Sequence, residues 1–379
     1  MRSTRGPAMD ADDTNVPPRG PLAGVRVIEM DALGPVPYCA LLLVGMGADV
    51  VHVARPKASD PLAGIDITRQ GRPSVDVDLK APDGVAFVRR LAASADIFLE
   101  GSRPGAMERL GIGPKDLAAA NPRLVYGRMT GWGQNGPLSH TAGHDINYIA
   151  LSGALSTIGR PGERPVPPLN LVGDYGGGAL FLAMGVLAAL LEARRSGRGQ
   201  VVDAAMVDGS ASLMTLFYGL AAFGKWSETR GTNFLDGGAP WYDTYETADG
   251  RYVAVGAVEE PFWLVLLSGL RINPDELPRR TDKEGWPRIR AELAKAFRSR
   301  TRDEWEAHFS ATDACVSPVL TLAEAALHPH LVERRTFRMG NGVMQPAPAP
   351  RFDYPAPLPE TAGNIALADA LARWEDAST

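Results

Sequence analysis

Two side chains with proton-transfer chemistry frame one stretch of the chain. His144 lies in Gly143-His144-Asp145-Ile146-Asn147-Tyr148, and Asp174 lies in Leu171-Val172-Gly173-Asp174-Tyr175-Gly176-Gly177-Gly178, with a hydrophobic, proline-rich middle between them. An imidazole and a carboxylate in one pocket each hold or release a proton near neutral pH, provided burial and neighbours move their pKa values into that range. Two such groups facing one carbon from opposite sides can invert it. Spacing alone does not separate this from ordinary roles. A single histidine is commonly a solvated or hydrogen-bonded structural residue, and an aspartate before a glycine-rich helix start commonly caps free backbone N–H groups. Residues 144–151 read as a helical turn, which would set His144 and Asp145 near a helix N-terminus, an environment that suits an enolate oxygen.

The elements that must position these groups read as an α/β succession. Residues 25–30 and 49–53 have the apolar, β-branched character of buried strands, joined by a loop through Pro37 and an apolar helix over 38–46, a βαβ opening. Further strands are expected at 75–79, 96–100, 124–129 and 200–204, so the pattern predicts a Rossmann-like large domain. The first loop is Leu33-Gly34-Pro35-Val36-Pro37, with no GxGxxG, and no GxxxxGK[ST] occurs, so neither a dinucleotide nor a P-loop site is indicated. Ligands of open α/β sheets gather at the carboxyl ends of the strands. Arg55, Lys80 and Arg103 each follow such an end, and Arg109 lies in the helix after Pro104. Guanidinium groups pair with phosphate oxygens through two hydrogen bonds, so the recurrence of cations at strand ends suits a nucleotide-like ligand.

Composition narrows the function classes. The 379 residues exceed the size of one growing core, so two domains are expected. With 45% hydrophobic and 22% charged residues and a formal charge of -5, the chain is globular and offers no basic surface spread over the whole protein for nucleic acid. Its two cysteines, Cys39 and Cys315, form no framework, read as core residues, and point to a reducing cytoplasm. Residues 1–20 lack a continuous apolar run and read as a floppy leader. The most hydrophobic segment, 179–191, is too short to span a bilayer and is expected to be a buried helix. Asp203 and Asp208 read as strand-end and capping residues, and His328 with His330 makes a poor metal site without a third ligand. No metal is expected.

After about residue 225 the composition changes, with glycines and Pro240 marking a linker. Residues 242–247 and 251–255 flank Ala248-Asp249-Gly250, a hairpin signal, and helices follow at 260–270, 286–297 and 302–310 before a loop at 315–319. The expected division is a large domain from 21–224 plus about 345–379, and a smaller α+β domain with its linkers from 225–344.

Several ordered motifs resemble the class III CoA-transferase family: Pro21-Leu22-Ala23-Gly24-Val25-Arg26-Val27-Ile28-Glu29, Gly47-Ala48-Asp49-Val50-Val51, Asp78-Leu79-Lys80, Arg103-Pro104-Gly105 to Glu108-Arg109-Leu110-Gly111, and Gly131-Trp132-Gly133-Gln134. The resemblance covers nearly everything from Pro21 to about Phe352. Within the family, the His144 stretch and Asn170-Leu171-Val172-Gly173-Asp174 are similar to the racemase branch, whose members interconvert the 2R and 2S forms of 2-methylacyl-CoA thioesters. That resemblance implies that His144 and Asp174 are the two proton carriers. It makes Glu259, in Val255-Gly256-Ala257-Val258-Glu259, a partner of the histidine. It also implies CoA contacts from Arg55, from Val77, Asp78, Leu79 and Lys80, from Gly101, Ser102 and Arg103, from Arg109, and from Gly143, Asp145, Ile146, Asn147 and Tyr148. No separate cofactor is implied, since CoA is part of the substrate. The implied assembly is an interlocked homodimer in which Glu259 serves its own or the partner's site. Ser102 stands where an aromatic residue is frequent in the family, and Gln70 where asparagine is common.

The neighbouring activity in the family is CoA transfer, with the Asp174 carboxylate attacking the thioester and carrying the acyl group as an anhydride. His144 argues for proton transfer instead, because transferases of the family generally lack an imidazole there. A binding protein without catalysis would not need His144, Asp174 and Glu259 together. Leu33, Met206, Leu235 and Trp241 are apolar candidates for an acyl slot, and core packing accounts for them equally well.

Overall fold

The computed structural model describes residues 20–56, 66–356 and 363–375. All but Gly20 of the expected leader lies outside the described residues. The chain divides into two compact units: one takes residues up to Tyr148, then Asn170–Ser212 and the part from Arg338 onward, and the other takes Ile149–Leu169 and Leu213–Phe337. Residues 149–169 and 213–224 thus belong to the second unit. The composition shift at 225 is a change of loop content and does not mark where the packing changes.

The first unit is built on six parallel strands: β1 (Arg26–Met30), β2 (Asp49–Ala54), β3 (Ser74–Asp76), β4 (Ile97–Glu100), β5 (Val125–Thr130) and β6 (Val201–Ala205), in the order β3-β2-β1-β4-β5-β6. The chain reverses its direction of travel across the sheet between β1 and β4, where a crevice opens at the carboxyl ends. Alternate residues feed two cores. Val27, Val50, Ile97 and Leu99 face one, and Ile28, Val51, Val53 and Phe98 face the other. Burial on both faces explains the near-continuous apolar runs by which these strands are legible.

Helix α1 (Pro35–Gly45) starts three residues earlier than expected. Its prolines stand in the first turn, where N–H groups have no intrahelical acceptor, so they initiate the helix. α2 (Pro82–Ala93), the short α3 (Ala106–Arg109), α4 (Pro114–Ala120) and α5 (Asp145–Leu151) follow. A π-helical segment, Leu171–Ala179, runs straight into α6 (Leu180–Ser196), forming one helix of 26 residues that by length and composition alone could cross a membrane. Expected to begin at 179, it extends back through its glycines because they permit close packing. A Cβ on Gly177 would lie 2.6 Å from the Ser210 nitrogen in α7 (Met206–Leu213), and one on Gly209 would lie 1.8 Å from the Gly177 oxygen. One side of α6, including Leu182, Ala183, Val186 and Leu190, is buried in the first core. The second core is closed by the helix Leu367–Glu375, whose Trp374 is 1% exposed and donates to Asp49 at 3.0 Å.

In the second unit, α8 (Thr215–Ala222) is separate from α7, the break falling at Met214. β7 (Tyr242–Glu246) and β8 (Tyr252–Gly256) form the expected antiparallel hairpin. α9 (Glu260–Leu270), α10 (Trp286–Phe297) and α11 (Arg302–Phe309) pack with Trp241, Trp263, Trp286 and Trp305 into an aromatic core. The segment read as a loop at 315–319 contains a third strand, β9 (Val316–Pro318), paired with β8. Cys39 is buried as expected, but Cys315 is exposed. It takes φ 53 at the turn into β9, a left-handed conformation that points it away from the core.

Candidate active site

A cavity of about 1240 Å³ opens in the first unit at the carboxyl ends of the strands. The β1–α1 loop lines it with Asp31, Leu33 and Gly34, the end of β2 with Arg55, and the chain after β3 with Val77, Asp78, Leu79 and Lys80. Gly101, Ser102 and Arg103 after β4, Arg109 of α3, then Gly143, His144, Asp145, Tyr148, Asp174 and Met206 complete it. Of the first-unit residues expected at the site, only Ile146 and Asn147 do not line the cavity. Both stand exposed on α5, and the Asn147 carboxamide is engaged locally, its Oδ1 accepting from the His144 backbone N–H at 3.0 Å. Glu259 belongs to the second unit, at the residue preceding α9. So does Trp241, a member of the aromatic core.

His144 immediately precedes α5, and its carbonyl accepts from the N–H groups of Asn147 and Tyr148 at 2.8 and 3.3 Å. This first turn is anchored by Tyr148, whose ring meets Trp132 edge-on at 4.7 Å. Gly131 and Gly143 are required beside it, since Cβ atoms there would approach the ring within 2.0 and 2.8 Å. Asp145 is buried, and its Oδ2 accepts from the N–H groups of Gly173 and Asp174, both at 2.7 Å. The carboxylate read as a CoA contact is therefore engaged with the backbone of the π-helical turn.

Asp174 does not cap that helix. Its Oδ2 accepts from Asn170 Nδ2 at 3.3 Å and faces Gly34, where a Cβ would be 3.2 Å away. Burial pushes its carboxyl above the usual range; the Asn170 amide opposes this, the Asp145 charge adds to it and His144 opposes it. The imidazole and the carboxylate are thus within electrostatic reach in one cavity, and the carboxylate is biased toward holding a proton.

The cations differ in how they are held. Arg55 Nε pairs with Asp31 at 2.8 Å, and Asp31 also meets Arg69 at 3.3 Å. His52 and Arg55 hold the Asp31 carboxyl far below the usual range despite burial. Lys80 has its backbone N–H on Asp78 Oδ1 at 2.9 Å. The Ser102 N–H donates to Glu100 at 2.6 Å, and Glu100 is fully buried beside Arg128, which also pairs with Glu108. Burial pushes the Glu100 carboxyl up to about 7, with the Ser102 N–H and Arg128 opposing. Asp31, Gly34, Glu100 and Asn170 were not singled out from sequence. Asp31 follows β1 as Arg55 follows β2, so the strand-end argument applied to anions would have found it. Asp203, read as a strand-end residue, accepts from the Gln134 N–H at 3.2 Å. Among the described residues, no group of three or more His, Cys, Asp or Glu side chains has a metal-binding arrangement. His328 instead pairs with Glu306 at 2.7 Å.

Residues 22–368 match CoA-transferase family III. A Mus musculus protein named alpha-methylacyl-CoA racemase is 46% identical over 339 residues, covering 89% of this chain and 88% of that protein. A Homo sapiens protein of the same name is 46% identical over 332 residues, 87% of this chain and 86% of that one. Among solved structures, a CaiB/BaiF family protein from Brucella suis has a TM-score of 0.80 at 23% identity, covering 94% of this chain and 99% of that one, a likeness of fold.

Proposed function

The chain belongs to CoA-transferase family III, and we propose that it is a racemase acting on the α-carbon of 2-methylacyl-CoA thioesters. The observation that carries this reading is the cavity that both His144 and Asp174 line, with Arg55, Lys80, Arg103 and Arg109 along its walls. The thioester carbonyl acidifies the C2 proton because it holds the resulting charge as an enolate. In one direction His144 removes the proton and Asp174 returns one to the opposite face. In the other direction Asp174 is the base and His144 the acid, as microscopic reversibility requires. A carboxyl raised by burial suits both roles, since it is a stronger base when ionised and remains protonated nearer neutral pH.

CoA enters and leaves as part of the substrate, its phosphates meeting the cations, and no separate cofactor is invoked. Both cysteines are free, which suits a cytoplasmic setting. The apolar residues left exposed on α6, Leu180, Met184 and Leu191, suit burial against a second copy in an interlocked homodimer, and the opposite, core-packed side suits a soluble helix better than a membrane span. Glu259 orients His144 and stabilises its charged form, in its own or the second copy. Activity restored by mixing His144→Ala with Glu259→Ala would assign the pair to different copies.

The test follows a single epimer of a 2-methylacyl-CoA in deuterium oxide, scoring deuterium and configuration at C2 together. Exchange with inversion is expected, and loss of inversion in His144→Ala and in Asp174→Ala. Neither exchange nor inversion by the unaltered protein across several acyl chains would overturn the reading, and hydroxylamine capture of an acyl group on Asp174 would replace it with CoA transfer.

A further inference from the structure

We propose that Asp145 is a positioning residue for inversion, its carboxylate tying the turn that carries Asp174 to the segment that carries His144. One side chain thereby sets the separation of the two proton carriers. The inference rests on the racemase reading and deepens it. Asp145 follows His144 directly and is 7% exposed. The N–H groups of Gly173 and Asp174 precede the first helical bond of their segment, from Tyr175 N–H to the Asn170 carbonyl at 3.3 Å, so they need an acceptor from elsewhere. Asp145 Oδ2 supplies it to both at 2.7 Å.

The fit leaves little freedom. A Cβ on Gly173 would sit 2.5 Å from that oxygen, so only glycine lets the carboxylate reach both donors. The other oxygen, Oδ1, is buried with no hydrogen-bond partner among the described residues. A buried carboxylate whose hydrogen bonds among the described residues are these two cannot slide without leaving itself and both N–H groups unsatisfied. Charge-assisted bonds of this kind are the strong ones. His144 is covalently attached to one end of the link and Asp174 to the other, so the tie constrains the pair that must address C2 from two faces.

The test compares Asp145→Ala and Asp145→Asn with the unaltered protein on one 2-methylacyl-CoA epimer. It measures kcat, KM, the pH profile of kcat, and amide hydrogen exchange over 170–178. Asp145→Ala is expected to lower kcat about 10²-fold while KM moves less than about threefold, and to speed exchange in that peptide. Asp145→Asn keeps an acceptor without the charge, so it recovers part of kcat. Among the charged and titratable groups that interact with Asp174, namely Asp145, His144, Tyr148 and Tyr175, it alters only the one that raises the Asp174 pKa, so the carboxyl limb moves to lower pH. A rise in KM with kcat kept, or unchanged kcat and unchanged amide exchange in Asp145→Ala, would overturn the proposal. If the unaltered protein neither exchanges nor inverts C2, the racemase reading falls, while the amide exchange of Asp145→Ala still reports separately whether this carboxylate holds the turn.

Discussion

Gly177→Ala tests whether packing between two helices sets the position of a proton carrier one turn away. The added Cβ would lie 2.6 Å from the Ser210 nitrogen and 3.0 Å from the Gly209 carbonyl carbon, whereas ordinary contact begins at 3.4 Å. The Ser210 contact is therefore short by about 0.8 Å, and it is made with backbone, which does not rotate away. Overpacking of this kind costs about 1–3 kcal/mol. Alanine recovers about 0.5–1 kcal/mol of helix propensity relative to glycine. Because the contacts are with backbone, the upper half of the overpacking range applies, and the net loss is about 2 kcal/mol. The shift needed to relieve the contact is transmitted along the π-helical segment to Asp174. A misplacement near 1 Å can cost about 10²-fold in rate, so kcat is expected to fall between about tenfold and a hundredfold. Urea unfolding and C2 deuterium exchange read the two effects on the same preparation. An unfolding midpoint equal to or above that of the unaltered protein, with kcat preserved, would refute the argument that Gly177 is held by contact with α7.

Three further perturbations address the charged groups. Asn170→Ala removes the hydrogen bond that lowers the Asp174 pKa, so the carboxyl rises further; in the direction where Asp174 is the base, the acidic limb of the kcat profile should move to higher pH, and a downward move would contradict the assignment. Arg72→Met leaves Glu29 charged and without its partner in a site where the two are 3% and 0% exposed, which costs about 3–5 kcal/mol in urea unfolding; the double change Arg72→Met with Glu29→Leu should recover part of it. Glu100 has its carboxyl at about 7 in the fold against an ordinary 4.5, so the native state keeps a proton that the unfolded chain has lost, and stability falls as pH rises between those values, by about 3 kcal/mol in all. Glu100→Gln should flatten that slope when urea midpoints are compared at about pH 5 and pH 8.

The strands were legible because burial on both faces writes each one as an apolar run, as in Ile97, Phe98 and Leu99. Their spatial order was not, because neighbours in a parallel sheet are joined by crossovers whose placement no local pattern specifies. The helix through Asp174 was cut short at 179 for a physical reason. Glycines weaken an isolated helix, and only the approach of α7 to Gly177 shows why they stand there. The proton carriers were found by their residue types and by the resemblance, whereas the partner of Asp145 was invisible, since a backbone N–H leaves no mark in a sequence. Cys315 was misplaced because composition does not encode the left-handed turn before β9.

The helix Leu367–Glu375 bears on how the protein is made. During vectorial synthesis the six strands, both proton carriers and all four cavity cations have been joined into the chain by residue 212. The flank of the sheet near β2 and β3 still awaits Ala370 and Trp374, together with the pairing of Asn364 alongside Ser74. A message that terminated just before this helix would yield a chain with both proton carriers, the cavity cations and Glu259 in place and a bare apolar flank, a target for proteolytic clearance. Loss of activity in such a product would trace to quality control rather than to chemistry.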